Sequence, residues 1–149
     1  MAEGHLTSAM THAVALAMLQ RDGRWLLQLR DDLDTIIYPG HWGLFGGHLD
    51  PGETAEQAVM RELQEEINWA PQTTPPLWFS NNNGSRVAHV FRGRLDVPVD
   101  QLQLLEGQDL KLASVEELIS GEVWSEKRQE YRPIAPGLEV VIQRLQSES

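Results

Sequence analysis

One segment constrains the fold of this chain more than any other: "TAEQAVMRELQEEIN", Thr54 to Asn68. Ala55, Val59, Leu63 and Ile67 recur every four residues and form the apolar stripe of an amphipathic helix. Thr54 is placed to cap its start, with Gln57 as the capping-box partner, and Glu56 suits the positive end of the helix dipole. Asn68 follows the last apolar residue, and Asn tolerates the left-handed conformation that ends helices. At about 100° per residue, Glu62, Glu65 and Glu66 fall beside the stripe, so burying the stripe draws these acids to the edge of the core. Like charges roughly 5–6 Å apart cost about 3 kcal/mol at an effective dielectric near 20, and a few tenths on a wet face. A partly buried triple acid therefore needs a cation, and carboxylates without His or Cys suit Mg²⁺ or Mn²⁺. Acid-rich helix faces are commonly solvated, so this run alone leaves a solvated face and a metal site both open.

The surrounding chain is strand-rich. "HAVALAMLQ" and "RWLLQLRD" read as two strands, and Asp22-Gly23 between them is a strong hairpin signal. Asp31 to Gly47 reads as a loop, a short strand and then a glycine turn. "PLWFS" and "RVAHVFRGRLDV" read as strands around the turn "NNNG". "SVEELISG" predicts a short helix with Ser114 and Glu117 as capping box and Gly121 as stop. "PGLEVVIQRLQ" places Leu138, Val141, Ile142 and Leu145 at helical spacing after Pro136. Strands and helices interleave without a regular βαβ repeat, which predicts a mixed sheet with helices packed on it.

A chain of 149 residues suits one domain. Five tryptophans point to a real core or an aromatic-lined pocket. The formal net charge of -10 repels phosphate backbones, so no nucleic-acid polymer is expected as partner. A small phosphorylated ligand stays admissible if a metal cation screens it. The chain has no cysteine, which excludes disulfides, zinc–thiolate sites and thiol nucleophiles. The apolar run Ala13 to Leu19 is too short for a membrane span and lacks the basic flank of a signal peptide. No membrane association is expected, and the cytoplasm is the default location.

The helix does not stand alone. Gly47 is followed after five residues by Glu53, then after seven by Arg61-Glu62-Leu63-Gln64-Glu65-Glu66. This register resembles the Nudix box, G-x5-E-x7-R-E-U-x-E-E-x-G-U with U apolar, and it matches at every charged position from Gly47 to Trp69. "HWGLFGG" just upstream resembles the glycine-rich approach common in that superfamily. Two positions depart from the pattern. Asn68 stands at the family's last glycine, and Phe45 stands where relatives often carry proline, altering the loop that approaches the ligand.

The resemblance, of mutator-type nucleoside triphosphate pyrophosphohydrolase character, implies an α/β/α sandwich around a mixed β-sheet, an α+β arrangement in one domain. It implies a hydrolase that uses Mg²⁺ or Mn²⁺ to cleave a diphosphate bond in a nucleoside diphosphate linked to a group X. The expected metal ligands are the Gly46 carbonyl with Glu62 and Glu66, and Glu65 as a further ligand or as the base that takes a proton from water. Glu53 and Arg61 form the expected supporting pair, since the guanidinium fork suits a carboxylate. Glu106 in "LLEGQDL" resembles the acid that relatives bring from a later loop, with Glu116, Glu117 and Glu126 competing for that place. Glu62 and Glu106 remain alternatives to Glu65 as base.

Around the approach to the box, Arg30, Tyr38, His41, Trp42 and His48 are the candidate substrate contacts. His48 is placed to meet a phosphate and Tyr38 or Trp42 to stack on a base, although Trp42 reads more readily as core. "PPLWFSNN" carries only a Trp-x-x-Ser echo of a signature for NADH, which is not expected as substrate. The alternative to an enzyme is a silent Nudix domain that senses a nucleotide or ADP-ribose. Loss of a box glutamate would favour it, and none is lost. A homodimer fits the family, though no residue here specifies one.

Overall fold

The computed structural model describes residues 12–148. Its central strand is β1 (His12–Arg21), whose apolar run is long enough to be paired on both edges. On one edge β6 (Arg86–Arg94) runs parallel to it along its length, from His12 opposite Arg86 to Gln20 opposite Arg94. The other edge is shared. β4 (Phe45–His48) pairs antiparallel with Val14–Ala17, and β2 (Arg24–Leu29) forms a hairpin at Gln20 and Arg21. That hairpin turns on Asp22 and Gly23 at φ 53° and 74°, the two left-handed residues of a tight primed turn. β2 then diverges to pair with β3 (Trp42–Gly43) and β7 (Asp109–Ala113), while β5 (Leu77–Asn82) closes the far edge against β6. A separate hairpin joins β8 (Glu122–Ser125) to β9 (Glu130–Pro133).

Three α-helices, α1 (Ala55–Ile67), α2 (Val115–Ser120) and α3 (Pro136–Gln146), and a 3-10 turn at Val99–Gln101 complete the described residues. α1 lays Ala58, Val59, Leu63 and Ile67 on a layer of Ala15, Ala17, Leu19, Leu26, Phe45 and Phe91. Each fully buried Val, Leu or Ile there contributes roughly 1.5–3 kcal/mol. α2 and α3 cover the opposite face, where Leu118, Leu138, Val141 and Ile142 meet Met18, Trp25, Leu27, Trp42 and Val90. The result is the expected α/β/α arrangement around a mixed sheet. No helix among the described residues is long and apolar enough to cross a membrane.

Sequence patterning located most elements, including all three helices and the capping boxes of α1 and α2. It missed β7, β8 and β9, which are only four or five residues long and too short to show a period, so their pairing decides them. One expectation is corrected. Gly46 and Gly47 form no turn; they lie inside β4, opposite Leu16 and Ala15. The glycines serve close approach instead. Gly46 sits at φ 138°, where a Cβ would collide with the Ala15 carbonyl oxygen.

Candidate active site

The site lies where α1 packs over β4. Capping fixes the phase of the helix. Thr54 Oγ1 accepts from the Gln57 amide at 3.1 Å and Gln57 Oε1 accepts from the Thr54 amide at 2.9 Å. Asn68 ends the helix in the left-handed region, φ 52° and ψ 39°, donating its amide to Gln64 O. Glu62 and Glu66, one turn apart, then both face the paired glycines. A Cβ on Gly47 would stand 2.5 Å from Glu62 Oε2. The Gly46 amide donates to Glu66 Oε1 at 2.8 Å. The residue singled out for its carbonyl thus meets the cluster through its N–H.

Glu66 is 2% exposed although it carries a carboxyl group. Burial, with the Glu106 carboxyl within hydrogen-bonding reach, pushes its pKa up to about 10. Burial likewise raises Glu62 against the opposing pull of Arg61. Glu106 reaches this pair from the segment between β6 and β7. Its rivals lie elsewhere. Glu117 caps α2 on the opposite face and pairs with Lys111, Glu116 is on that same helix, and Glu126 lies in the β8–β9 turn, where Gln129 donates to it.

Arg61 organises the outer half of the cluster. Its Nε and Nη2 grip both oxygens of Glu53 at 2.7 and 2.9 Å, and Nη2 also donates to the His48 carbonyl at 3.1 Å. Nη1 donates to Glu62 at 2.9 Å and to Glu65 at 3.0 Å. The guanidinium beside Glu53, aided by the Asp50 amide, holds its carboxyl at about 2, well below its ordinary value. As they stand, no three His, Asp or Glu side chains among the described residues surround a common point in ligand geometry. The glutamates are held by Arg61 and Gly46 instead. The donor set nevertheless fits a hard divalent cation. It is all oxygen, and the buried Glu66 facing Glu106 needs either a shared proton or a cation.

The expected substrate contacts divide. Arg30 leaves β2 with Nε donating to Ile37 O at 2.8 Å, and its own carbonyl accepts from Gln108, two residues past Glu106. Tyr38 is exposed on the adjoining loop, φ 51°, with its ring 5.8 Å from that of His41. Trp42 is corrected: it is fully buried in the α3-side core, and its indole N–H donates to Val123 O at 3.0 Å, so no base can stack on it. His48 is corrected as well. Strand alternation turns its ring to the face opposite Gly47 and Glu62, edge-on to His12 at 6.0 Å. Only its carbonyl joins the site, through Arg61. Sequence reading missed Gln28, a buried polar residue on β2 whose carboxamide binds the Glu106 carbonyl; its only signal was one polar side chain inside the apolar run "WLLQL".

This arrangement has relatives. Residues 10–135 match the family model described as NUDIX domain. Nucleoside triphosphatase NudI of Escherichia coli O1:K1 is 41% identical over 54 residues, 36% of this chain. The chain spans only 38% of the length of the curated relatives it matches in this way. Among solved structures, the ORF135 protein of E. coli is 25% identical, with 94% of this chain and 92% of that chain covered and a TM-score of 0.65. The MutT protein of Methanosarcina mazei Go1 shares the fold at 20% identity, with 93% and 94% covered and a TM-score of 0.69. With the family model matched over most of its length and the box glutamates gathered at one helix–strand contact, this chain belongs to the Nudix family.

Proposed function

We propose that residues 1–149 form one Nudix domain that hydrolyses a diphosphate bond in a nucleoside diphosphate linked to X, with Mg²⁺ or Mn²⁺ as cofactor. A nucleoside triphosphate is the favoured substrate, because the NudI relatives are nucleoside triphosphatases. The observation that carries the reading is the buried Glu66 held against Glu106 behind two glycines that leave room for nothing larger. Glu62, Glu66 and Glu106 would hold the cation, with Gly46 beside them. When bound, the metal neutralises phosphate oxygens, lowers the pKa of water and steadies the leaving group.

The remaining work falls to the chain. Water attacks one phosphorus, the bridging P–O bond breaks, and the water's proton goes to a carboxylate. We assign that role to Glu65. Its side chain is 58% exposed and open to water, whereas that of Glu62 is 16% exposed and Glu66 is buried. Arg61, anchored by Glu53, aims Glu65 and Glu62. Arg30 and Tyr38 on the rim are the substrate contacts in this reading. The protein acts in the cytoplasm on a small substrate, without membrane or nucleic-acid polymer, as a monomer or a homodimer.

A panel of nucleoside triphosphates, nucleotide sugars, ADP-ribose and dinucleoside polyphosphates with Mg²⁺ tests the reading. Turnover by the wild type and its loss in Glu66→Gln are expected. Binding without turnover of any compound would instead leave the silent sensor.

A further inference from the structure

We infer that Gln28 is a positioning residue, one that sets Glu106 over Glu66 through the backbone of the Glu106 loop; this rests on the metal site proposed above. Gln28 lies on β2, between Leu27 and Leu29, and is 3% exposed. A carboxamide in that setting needs partners. Its Nε2 donates to the Glu106 carbonyl at 3.0 Å.

The neighbouring contacts turn this bond into a latch. Gly107 presses on the same strand at φ 101°, where a Cβ would stand 2.8 Å from Leu29 O and 3.0 Å from Gln28 Cγ. The Gln108 amide donates to Leu29 O at 2.8 Å, and Gln108 Nε2 donates to Arg30 O at 2.8 Å. On its other side the segment is tied to the last turn of α1. The Leu105 amide donates to Glu66 O at 2.8 Å and the Gln103 amide to Ile67 O at 3.1 Å. Residues 103–108 thus bridge β2 and α1, and Glu106 is the one residue of the bridge that carries a carboxylate. Gln28 is the side-chain contact made to Glu106's own backbone. Without it, Glu106 is held only by its neighbours, and its carboxyl loses a fixed origin.

The test replaces Gln28 by Met, which keeps length and volume but cannot donate, in the wild type and in Glu106→Gln. Gly107→Ala, which displaces the same segment by sterics, is the second perturbation. Mn²⁺ titration followed by electron paramagnetic resonance reads the site without turnover; kcat and KM are measured beside it. Gln28→Met is expected to weaken Mn²⁺ binding at least about fivefold and lower kcat about five- to hundredfold, with KM little changed. In the Glu106→Gln background the further loss should be under about twofold, because the residue it positions is already disabled. Gly107→Ala should follow the same pattern. Equal losses in both backgrounds, or unchanged Mn²⁺ affinity in the single variants, overturn the inference. Mn²⁺ binding with no turnover of any diphosphate sinks the proposed reaction alone. A wild type that binds no Mn²⁺ sinks both.

Discussion

Glu66 makes the sharpest prediction, because a carboxyl at 2% exposure is costly unless something compensates it. Its folded pKa of about 10 lies far above its ordinary 4.5. The sign follows from linkage. A carboxyl whose pKa is raised by folding contributes stability in full below 4.5, and that contribution is lost as pH rises toward 10. Each pH unit above 4.5 removes about 1.4 kcal/mol, which reaches about 4–5 kcal/mol by pH 8 as an upper bound. Local rearrangement around the exposed Glu106 lowers the working figure to about 2–3 kcal/mol. Glu66→Gln should remove this liability. The amide oxygen keeps the bond from the Gly46 N–H, and the new NH₂ can donate to Glu106. In EDTA at pH 8 the variant should be the more stable protein, by about 5–10 °C in Tm for a domain of this size. At pH 5 the gap should shrink below about 1 kcal/mol. Mg²⁺ should stabilise the wild type and leave the variant nearly unmoved. Thermal unfolding of both proteins at the two pH values, with EDTA and with Mg²⁺, measures all of this. A variant less stable than wild type at pH 8 in EDTA, or a gap independent of pH, would refute the reasoning.

Other residues give simpler expectations. Trp42→Phe should lower stability by about 1–3 kcal/mol through the lost Val123 bond and a small cavity, while KM for the best substrate stays constant; a selective KM change would restore Trp42 as a platform. Gly47→Ala should abolish turnover while the protein still folds, since its Cβ strikes a movable Glu62 carboxyl; circular dichroism and activity separate the two. Glu53 is depressed to about 2, so the stability from its Arg61 pair is present above 4.5 and lost as pH falls toward 2. Glu53→Gln should flatten the acid limb of the stability curve, followed by urea unfolding. Asn68→Ala should cost about 1 kcal/mol, because alanine must hold φ 52° without the side-chain bonds to Gln64 and Gln103, and Asn68→Gly should recover the part due to backbone strain.

The parts of this protein whose physics is local can be read from its residues alone. The helix Ala55–Ile67 follows from its stripe and caps, the hairpin at Asp22-Gly23 from residues that accept positive φ, and the box register from spacing that needs no tertiary knowledge. Tertiary structure decided which side chains share a volume. Trp42 and Tyr38 stand four residues apart with similar rings, yet one is sealed in the core and the other lies on the rim. His48 directly follows the double glycine, yet strand alternation places its ring on the other face, because Gly46 and Gly47 lie in β4. Glu106 could be named from resemblance, but only the chain's return from β6 to β7 brings it to Glu66, and only packing shows Gln28 beneath it. Local sequence carries dihedral preference and periodicity. It does not carry the register between strands distant along the chain, and that register decides which carboxylates meet.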